Sequence, residues 1–99
     1  MYVIKFKRQV NKDIRSITAY IKDRLFAPIA AENFLRGIYA RITDLERNAA
    51  VYAISTYKDV LSYGDNARHV SYKGFVVIYT IHGRYVLIHR IIHGSLIIK

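Results

Sequence analysis

Residues 75–94 read F-V-V-I-Y-T-I-H-G-R-Y-V-L-I-H-R-I-I-H-G, and this stretch restricts the fold more tightly than any other. Valine, isoleucine and tyrosine at this density favour strands, because branched and aromatic side chains pack well on a pleated surface. A short break containing Gly83 separates two such runs, which specifies a tight hairpin. Two registers satisfy the pattern. With His82-Gly83 as the loop, Ile81 pairs with Arg84; with Gly83-Arg84 as the loop, His82 pairs with Tyr85. The two differ by two residues and therefore assign the same side chains to each face. One face carries Phe75, Val77, Tyr79 and Ile81 with Val86, Ile88, Arg90 and Ile92. It is apolar except for Arg90 and is expected to form the core. The other carries Val76, Ile78, Thr80 and His82 with Tyr85, Leu87, His89, Ile91 and His93. Its mixture of apolar groups, hydroxyls and imidazoles suits a functional surface, and equally the solvent face of an antiparallel sheet.

Upstream, Tyr2 to Lys7 alternates: Tyr2, Ile4 and Phe6 point one way, Val3, Lys5 and Lys7 the other, as in a half-buried strand. Val10, Ile14, Ile17, Tyr20, Ile21 and Leu25 then recur at helical spacing. Asn11 suits the N-cap, Asp13 the first turn, and a helix is expected from about Asn11 to Leu25. Phe26-Ala27-Pro28 breaks it, and Pro28 suits the first turn of a second helix. There Ala31, Phe34, Leu35, Ile38, Ile42 and Leu45 form the apolar stripe, Glu32 and Arg36 form an i,i+4 pair, and the end falls near Arg47-Asn48. Two such helices with a short connection make an antiparallel hairpin with a sheet to receive their stripes. Residues 48–66 are irregular, with turn chemistry at Gly64-Asp65-Asn66. Their tyrosines, Tyr52, Tyr57 and Tyr63, are expected to lid a core edge rather than stack on bases. Arg68 to Tyr72 is a further strand, and Lys73-Gly74 turns into the hairpin. The expected fold is α+β: an N-terminal strand and a two-helix hairpin packed on an antiparallel sheet whose last three strands form a meander. Phe34, Ile38, Ile17, Tyr79 and Ile88 are expected in its core.

Ninety-nine residues are expected to make one domain. The absence of cysteine excludes disulfides, a thiolate metal site and a cysteine nucleophile. Charges inside the first apolar run argue against a signal peptide. No apolar stretch approaches the roughly 20 residues that span a bilayer, so the cytoplasm is the expected compartment. The net charge is +9, from 16 Lys and Arg against 7 Asp and Glu. From Ala67 onward there are cations (Arg68, Lys73, Arg84, Arg90, Lys99) and all four histidines, but no acid. That balance calls for an anionic partner: nucleic acid, the ribosome or an acidic protein segment, rather than a membrane surface.

The residues that could carry chemistry are few. His89 and His93 share a face but lie four residues apart on a strand, about 13 Å at 3.3 Å per residue. One metal ion with bonds of about 2 Å does not bridge that gap, so neither a metal nor a cofactor is expected. Metal-independent RNA cleavage needs a base for the 2′-hydroxyl, cations around the scissile phosphate and an acid for the leaving oxygen. His89 and His93, with Arg68, Arg84 and Lys73, are the candidates for those roles, which leaves open whether the chain is an enzyme.

The runs D-I-R-S-I-T-A-Y-I (Asp13 to Ile21), A-A-E-N-F-L-R-G-I (Ala30 to Ile38) and I-T-D-L (Ile42 to Leu45) resemble the helical hairpin of the RelE/ParE superfamily of bacterial toxins, and of its ParE-like branch in particular. Arg68, the F-V-V-I-Y-T-I strand and R-I-I-H-G (Arg90 to Gly94) resemble that family's C-terminal half. The likeness covers nearly the whole chain. It implies the toxin of a type II toxin–antitoxin module, of the kind that stabilises plasmids, acting by poisoning DNA gyrase. The alternatives are a RelE-like, ribosome-dependent mRNA endoribonuclease and a basic nucleic-acid-binding module without activity. After His93-Gly94, where family members usually carry an arginine two positions on, this chain reads S-L-I-I-K, without the arginine and tyrosine of the RelE-like ribonucleases. The resemblance also implies an acidic, ParD- or RelB-like antitoxin in a hetero-oligomer, laid across the helical hairpin and the sheet edge. Arg68, Tyr85, Leu87, His89, Arg90 and His93 are the expected antitoxin- or target-binding positions, with Ile91 exposed beside them.

Overall fold

The computed structural model describes residues 1–97; Ile98 and Lys99, the latter among the cations counted above, lie outside the described residues. Strand β1 (Val3–Phe6) leads into helix α1 (Arg8–Ala19), which ends in a π-helical turn (Tyr20–Arg24). Helix α2 (Pro28–Asn48) comes next, then a short helix α3 (Lys58–Leu61) and strands β2 (Arg68–Tyr72), β3 (Phe75–His82) and β4 (Tyr85–His93). The last three strands form the expected antiparallel meander, in sheet order β1-β4-β3-β2. The sheet is mixed, however, because β1 lies parallel to β4. Parallel neighbours need a long connection, and everything between β1 and β4 supplies it.

His82 pairs with Tyr85, so the loop is Gly83-Arg84. Gly83 takes φ +57° at the first loop position, the requirement of a type II′ hairpin turn. At the other end Lys73 and Gly74 both have positive φ, the pattern of a type I′ turn.

Both helices pack on one face. Val10 and Ile14 of α1 and Phe34, Ile38, Ile42 and Leu45 of α2 bury against Val70, Val77, Tyr79, Val86, Ile88 and Ile91. Ile17 packs at the margin of this core, half-buried. Helix α1 departs from the expected bounds at both ends. It starts at Arg8, so Asn11 does not cap it and Asp13 lies beyond the first turn. The last β1 bond fixes the start: the Lys7 N–H donates to the Ile88 carbonyl while the Lys7 carbonyl accepts from Val10 N. At its end the π turn adds a residue and rotates the last side chains of the helix, so Tyr20 and Leu25 leave the stripe and are exposed. Leu35 likewise stands at the rim of the α2 stripe, exposed. The outer sheet face is partly covered too: Val60 of α3 and Ala67 bury against Val76 and Ile78 in a second small core. Tyr57 and Tyr63 lid that core and Tyr52 the main one.

The largest difference from the sequence reading is a β-bulge. Ile78 pairs with Arg90 but Tyr79 pairs with Ile88, which leaves His89 as an extra residue on β4. A bulge displaces the alternation by one. Ile91, expected outside, is therefore opposite Val77 in the main core, and Ile92, expected inside, joins the outer cluster. Tyr79 and Ile88, before the bulge, share the helix face as expected and are both fully buried. Beyond Phe6 strand β4 has no β1 neighbour, and the Asp13 carboxylate of α1 takes that place. Its Oδ2 accepts from the Ile91 backbone N–H at 3.0 Å and from Arg90 Nε at 2.8 Å, while Oδ1 accepts from Arg90 Nη2 at 3.0 Å. Asp13 is 7 % exposed.

Asp13→Ala should strip four donors of their acceptor at once: Arg90 Nε and Nη2, the Ile91 N–H and Gln9 Nε2. Breaking a fully buried pair costs about 3–5 kcal/mol; with Arg90 one-third exposed, about 2–4 kcal/mol is expected, read as a lower urea midpoint. A variant as stable as the parent would show that the clasp does not hold α1 to the sheet.

Candidate functional site

The outer sheet face gathers one polar chain. Thr80 Oγ1 lies 2.6 Å from His82 Nε2 and 2.8 Å from His89 Nε2. A hydroxyl donates one hydrogen, so it gives to one imidazole and accepts from the other. The His89 Nδ1 is buried without a partner, and an orphaned N–H there would cost more than an orphaned lone pair. We therefore assign the proton of His89 to Nε2, donated to Thr80, whose own hydrogen goes to His82. His82 stacks on Tyr85 at 5.2 Å between ring centroids, and Lys5 Nζ sits 4.3 Å over the same ring. Tyr63 packs against His89 at 5.5 Å. Leu87 is half-buried beside them.

This is not the open imidazole surface expected from the sequence. His89 is buried because the bulge turns it under Tyr63, and Ile91 is buried on the other side of the sheet. Burial, reinforced by the Lys7 and His82 charges, lowers the His89 pKa to about 4, so the ring is neutral at pH 7 and offers no charge to a phosphate. Burial also lowers the pKa of His69, which stacks on Tyr57.

The other proposed nucleic-acid groups do not converge. Lys73 and Arg84 occupy turns at opposite ends of β3, about 25 Å apart over eight residues at 3.3 Å each. His93 pairs with Phe75 at the Lys73 end, and its Nδ1 accepts from Ser95 N at 3.2 Å while bonding Ser95 Oγ at 2.7 Å. It thereby caps the turn at Gly94–Leu96. Arg68 sits half-buried opposite Tyr79, its Nε buried without a partner. Arg90 is engaged by Asp13, whose hydrogen bonds raise its pKa above the ordinary value against the opposing effect of burial. Tyr79, buried and donating to the Ala49 carbonyl at 2.7 Å, has its pKa pushed above the usual range by burial.

The helical hairpin, expected from the sequence to share the antitoxin with the sheet edge, carries binding candidates on its outside that the sequence reading did not name. A groove there is lined by Arg8, Lys12, Arg15 and Thr18 of α1 and by Leu35 and Tyr39 of α2. It continues past Lys22 and Glu32 to Pro28. Phe6 meets Tyr39 edge-on at 6.4 Å, and Phe6, Leu35 and Tyr39 are each 37–41 % exposed. The cations at 8, 12 and 15 follow i, i+4, i+7 spacing on the polar face of α1. That spacing was a signal available in the sequence, hidden by starting the helix three residues late. Among the described residues no group of three or more His, Asp or Glu is placed to hold a metal ion, and no helix is long and apolar enough to cross a membrane.

The architecture, a mixed four-stranded sheet carrying an α-hairpin on one face, has a match among solved structures. The chain superposes on a protein of the chromosomal ParDE toxin–antitoxin system from P. aeruginosa with a TM-score of 0.76, at 20 % identity, over 94 % of this chain and 96 % of that one. The family model for the ParE toxin of the type II toxin–antitoxin system parDE matches residues 4–97, and the chain belongs to that family. A comparison with curated proteins finds no match.

The lowered His89 pKa makes a stability prediction. Its folded pKa lies below the unfolded value of 6.5, so the unfolded chain takes up the proton first as pH falls. Stability contributed by neutral His89 is complete above pH 6.5 and is lost between pH 6.5 and about 4, by about 3 kcal/mol. His69 adds a loss of the same sign, so the difference between wild type and His89→Gln isolates the His89 part. Urea unfolding at pH 7 and pH 4.5 should show a shallower loss in the variant. Identical losses would mean that His89 is not desolvated.

Proposed function

We propose that this ParE-family chain is a growth-inhibiting toxin that acts on DNA gyrase in the cytoplasm and is neutralised by an acidic antitoxin laid along the outside of the helical hairpin. The observation that carries the antitoxin reading is the groove between α1 and α2. It joins the exposed apolar side chains of Leu35 and Tyr39, with Phe6 beside Tyr39, to a row of cations (Arg8, Lys12, Arg15). An amphipathic segment with apolar anchors and flanking Asp or Glu complements it in shape and sign. Such a segment is commonly disordered alone and orders on binding. Of the sheet residues first considered for this role, Tyr85 and Leu87 remain half-open beside Lys5, and Arg68 lies on the β2 edge. His89 and Arg90 are committed within the fold.

Gyrase is favoured over mRNA as target because a nuclease needs a base, an acid and cations around one phosphate. Here the five candidate groups are spread over both ends of the sheet, and the central histidine is buried and neutral. The purified chain should block supercoiling by gyrase or trap its cleaved DNA complex, and should leave translated mRNA uncut. Positionally defined cuts in translated mRNA, with normal supercoiling, would replace this reading with the ribonuclease one.

Antitoxin association should be electrostatically steered. In stopped-flow measurements at two ionic strengths, added salt should slow association more than it speeds dissociation. A salt-independent on-rate would contradict the basic groove as the docking surface.

A further inference from the structure

The groove reaches the far end of the helical hairpin at Lys22 and Pro28, and beyond it the connection at Phe26 stands free. After the π turn the chain closes with the Leu25 N–H donating to the Tyr20 carbonyl at 3.2 Å and the Ala27 N–H to the Ile21 carbonyl at 3.1 Å. These bonds span five and six residues, so the closure is the π-helical counterpart, one residue wider, of an α-helix C-terminus ended by a left-handed residue, a position that glycine normally fills. Here it is Phe26, with φ +52°. A bulky side chain in that conformation is strained. Packing does not repay it, because Phe26 is 87 % exposed. Around it Ile29 is 74 %, Leu25 55 % and Tyr20 54 % exposed. The π turn is what rotates Tyr20 and Leu25 outward, and π turns recur at functional positions. Lys22 and Arg24 flank the patch, also exposed; Asp23 is the single acid between them, and the nearby Glu32 lies 4.0 Å from Arg36.

We infer that this tip is the surface by which the toxin engages its protein target, with Phe26 as the anchor in an apolar pocket rimmed by acidic side chains. The inference rests on the toxin reading above and adds to it the contact surface. Large aromatic side chains at the centre of a small apolar patch are the usual energetic anchors of interfaces. The two cations match an acidic rim. A lipid surface is the weaker occupant: membrane-lying segments insert a continuous apolar helix face, and a bilayer has no use for one phenyl ring fixed by a strained backbone.

The strain makes the test discriminating. Glycine adopts φ +52° freely, so Phe26→Gly should melt at a higher temperature than wild type and bind antitoxin within about twofold. It should lose at least about tenfold in growth inhibition, scored as surviving colonies after induction, as expected for a lost hot spot. Lys22→Glu/Arg24→Glu should weaken inhibition in the same assay. Undiminished toxicity of Phe26→Gly overturns the inference. So does a lower melting temperature, which would make the ring a packing residue. Weakened antitoxin binding would assign the tip to the antitoxin, and co-sedimentation of wild type, but not the variant, with anionic phospholipid vesicles would assign it to a membrane. A wild-type chain that does not inhibit growth would remove the toxin reading itself, and this inference with it; a toxic wild type beside a toxic Phe26→Gly removes this inference alone.

Discussion

The buried carboxylate of Asp13 is the constraint on which the rest of the arrangement depends. A β-strand that outruns its neighbour leaves backbone N–H groups unpaired, and burying them without partners is costly. Strand β1 stops at Phe6, opposite Ile88, so the second half of β4 is in that position. One side chain from α1 answers it, accepting the Ile91 N–H and the Arg90 guanidinium together. The same contact fixes where α1 lies against β4. Because α1 and α2 form a hairpin, it also sets which helical surface faces outward.

The bulge at His89 is the other half of this arrangement. Without it Arg90 would point into the main core and Ile91 toward the outer face. With it, Arg90 reaches Asp13, Ile91 fills the core opposite Val77, and His89 turns under Tyr63 to bond Thr80. A neutral buried histidine is a poor catalytic or phosphate-binding group, so the most conspicuous chemical residue of the hairpin ends as part of the scaffold. The groups proposed to meet a partner lie mainly elsewhere: the cations and aromatic rings outside the helices, and the strained phenylalanine at their tip.

Much of this was legible in the sequence. The density of branched residues in 75–94 specified the hairpin and Lys73-Gly74 marked its start, while the loop at Gly83 stayed open between two registers until the His82–Tyr85 pair settled it. Pro28 and the stripe from Ala31 to Leu45 gave α2 its bounds, and strand β2 fell on the expected residues. The family resemblance rested on these same segments. The features that escaped it depend on single hydrogen bonds. Strict alternation along β4 placed Arg90, Ile91, Ile92 and His93 on the wrong faces, because a bulge has no pattern of its own. The π turn that exposes Tyr20 and Leu25 is equally silent, since the apolar spacing there still fits an ordinary helix. The true start of α1 is set by a strand bond of Lys7, and that moved Arg8 onto the helix and completed the basic row. The parallel placement of β1 is a long-range choice that a short alternating strand does not encode.

On the proposed reading the helical hairpin is the working surface and the sheet its support. Amide hydrogen exchange on the free chain and on its complex with antitoxin tests that division most directly. New protection should concentrate in α1 from Arg8 to Ala19 and in α2 around Leu35 to Tyr39, with little change in β3 and β4, which the core already protects. New protection confined to the outer sheet face around Tyr63, Tyr85 and Leu87, with α1 unchanged, would contradict it.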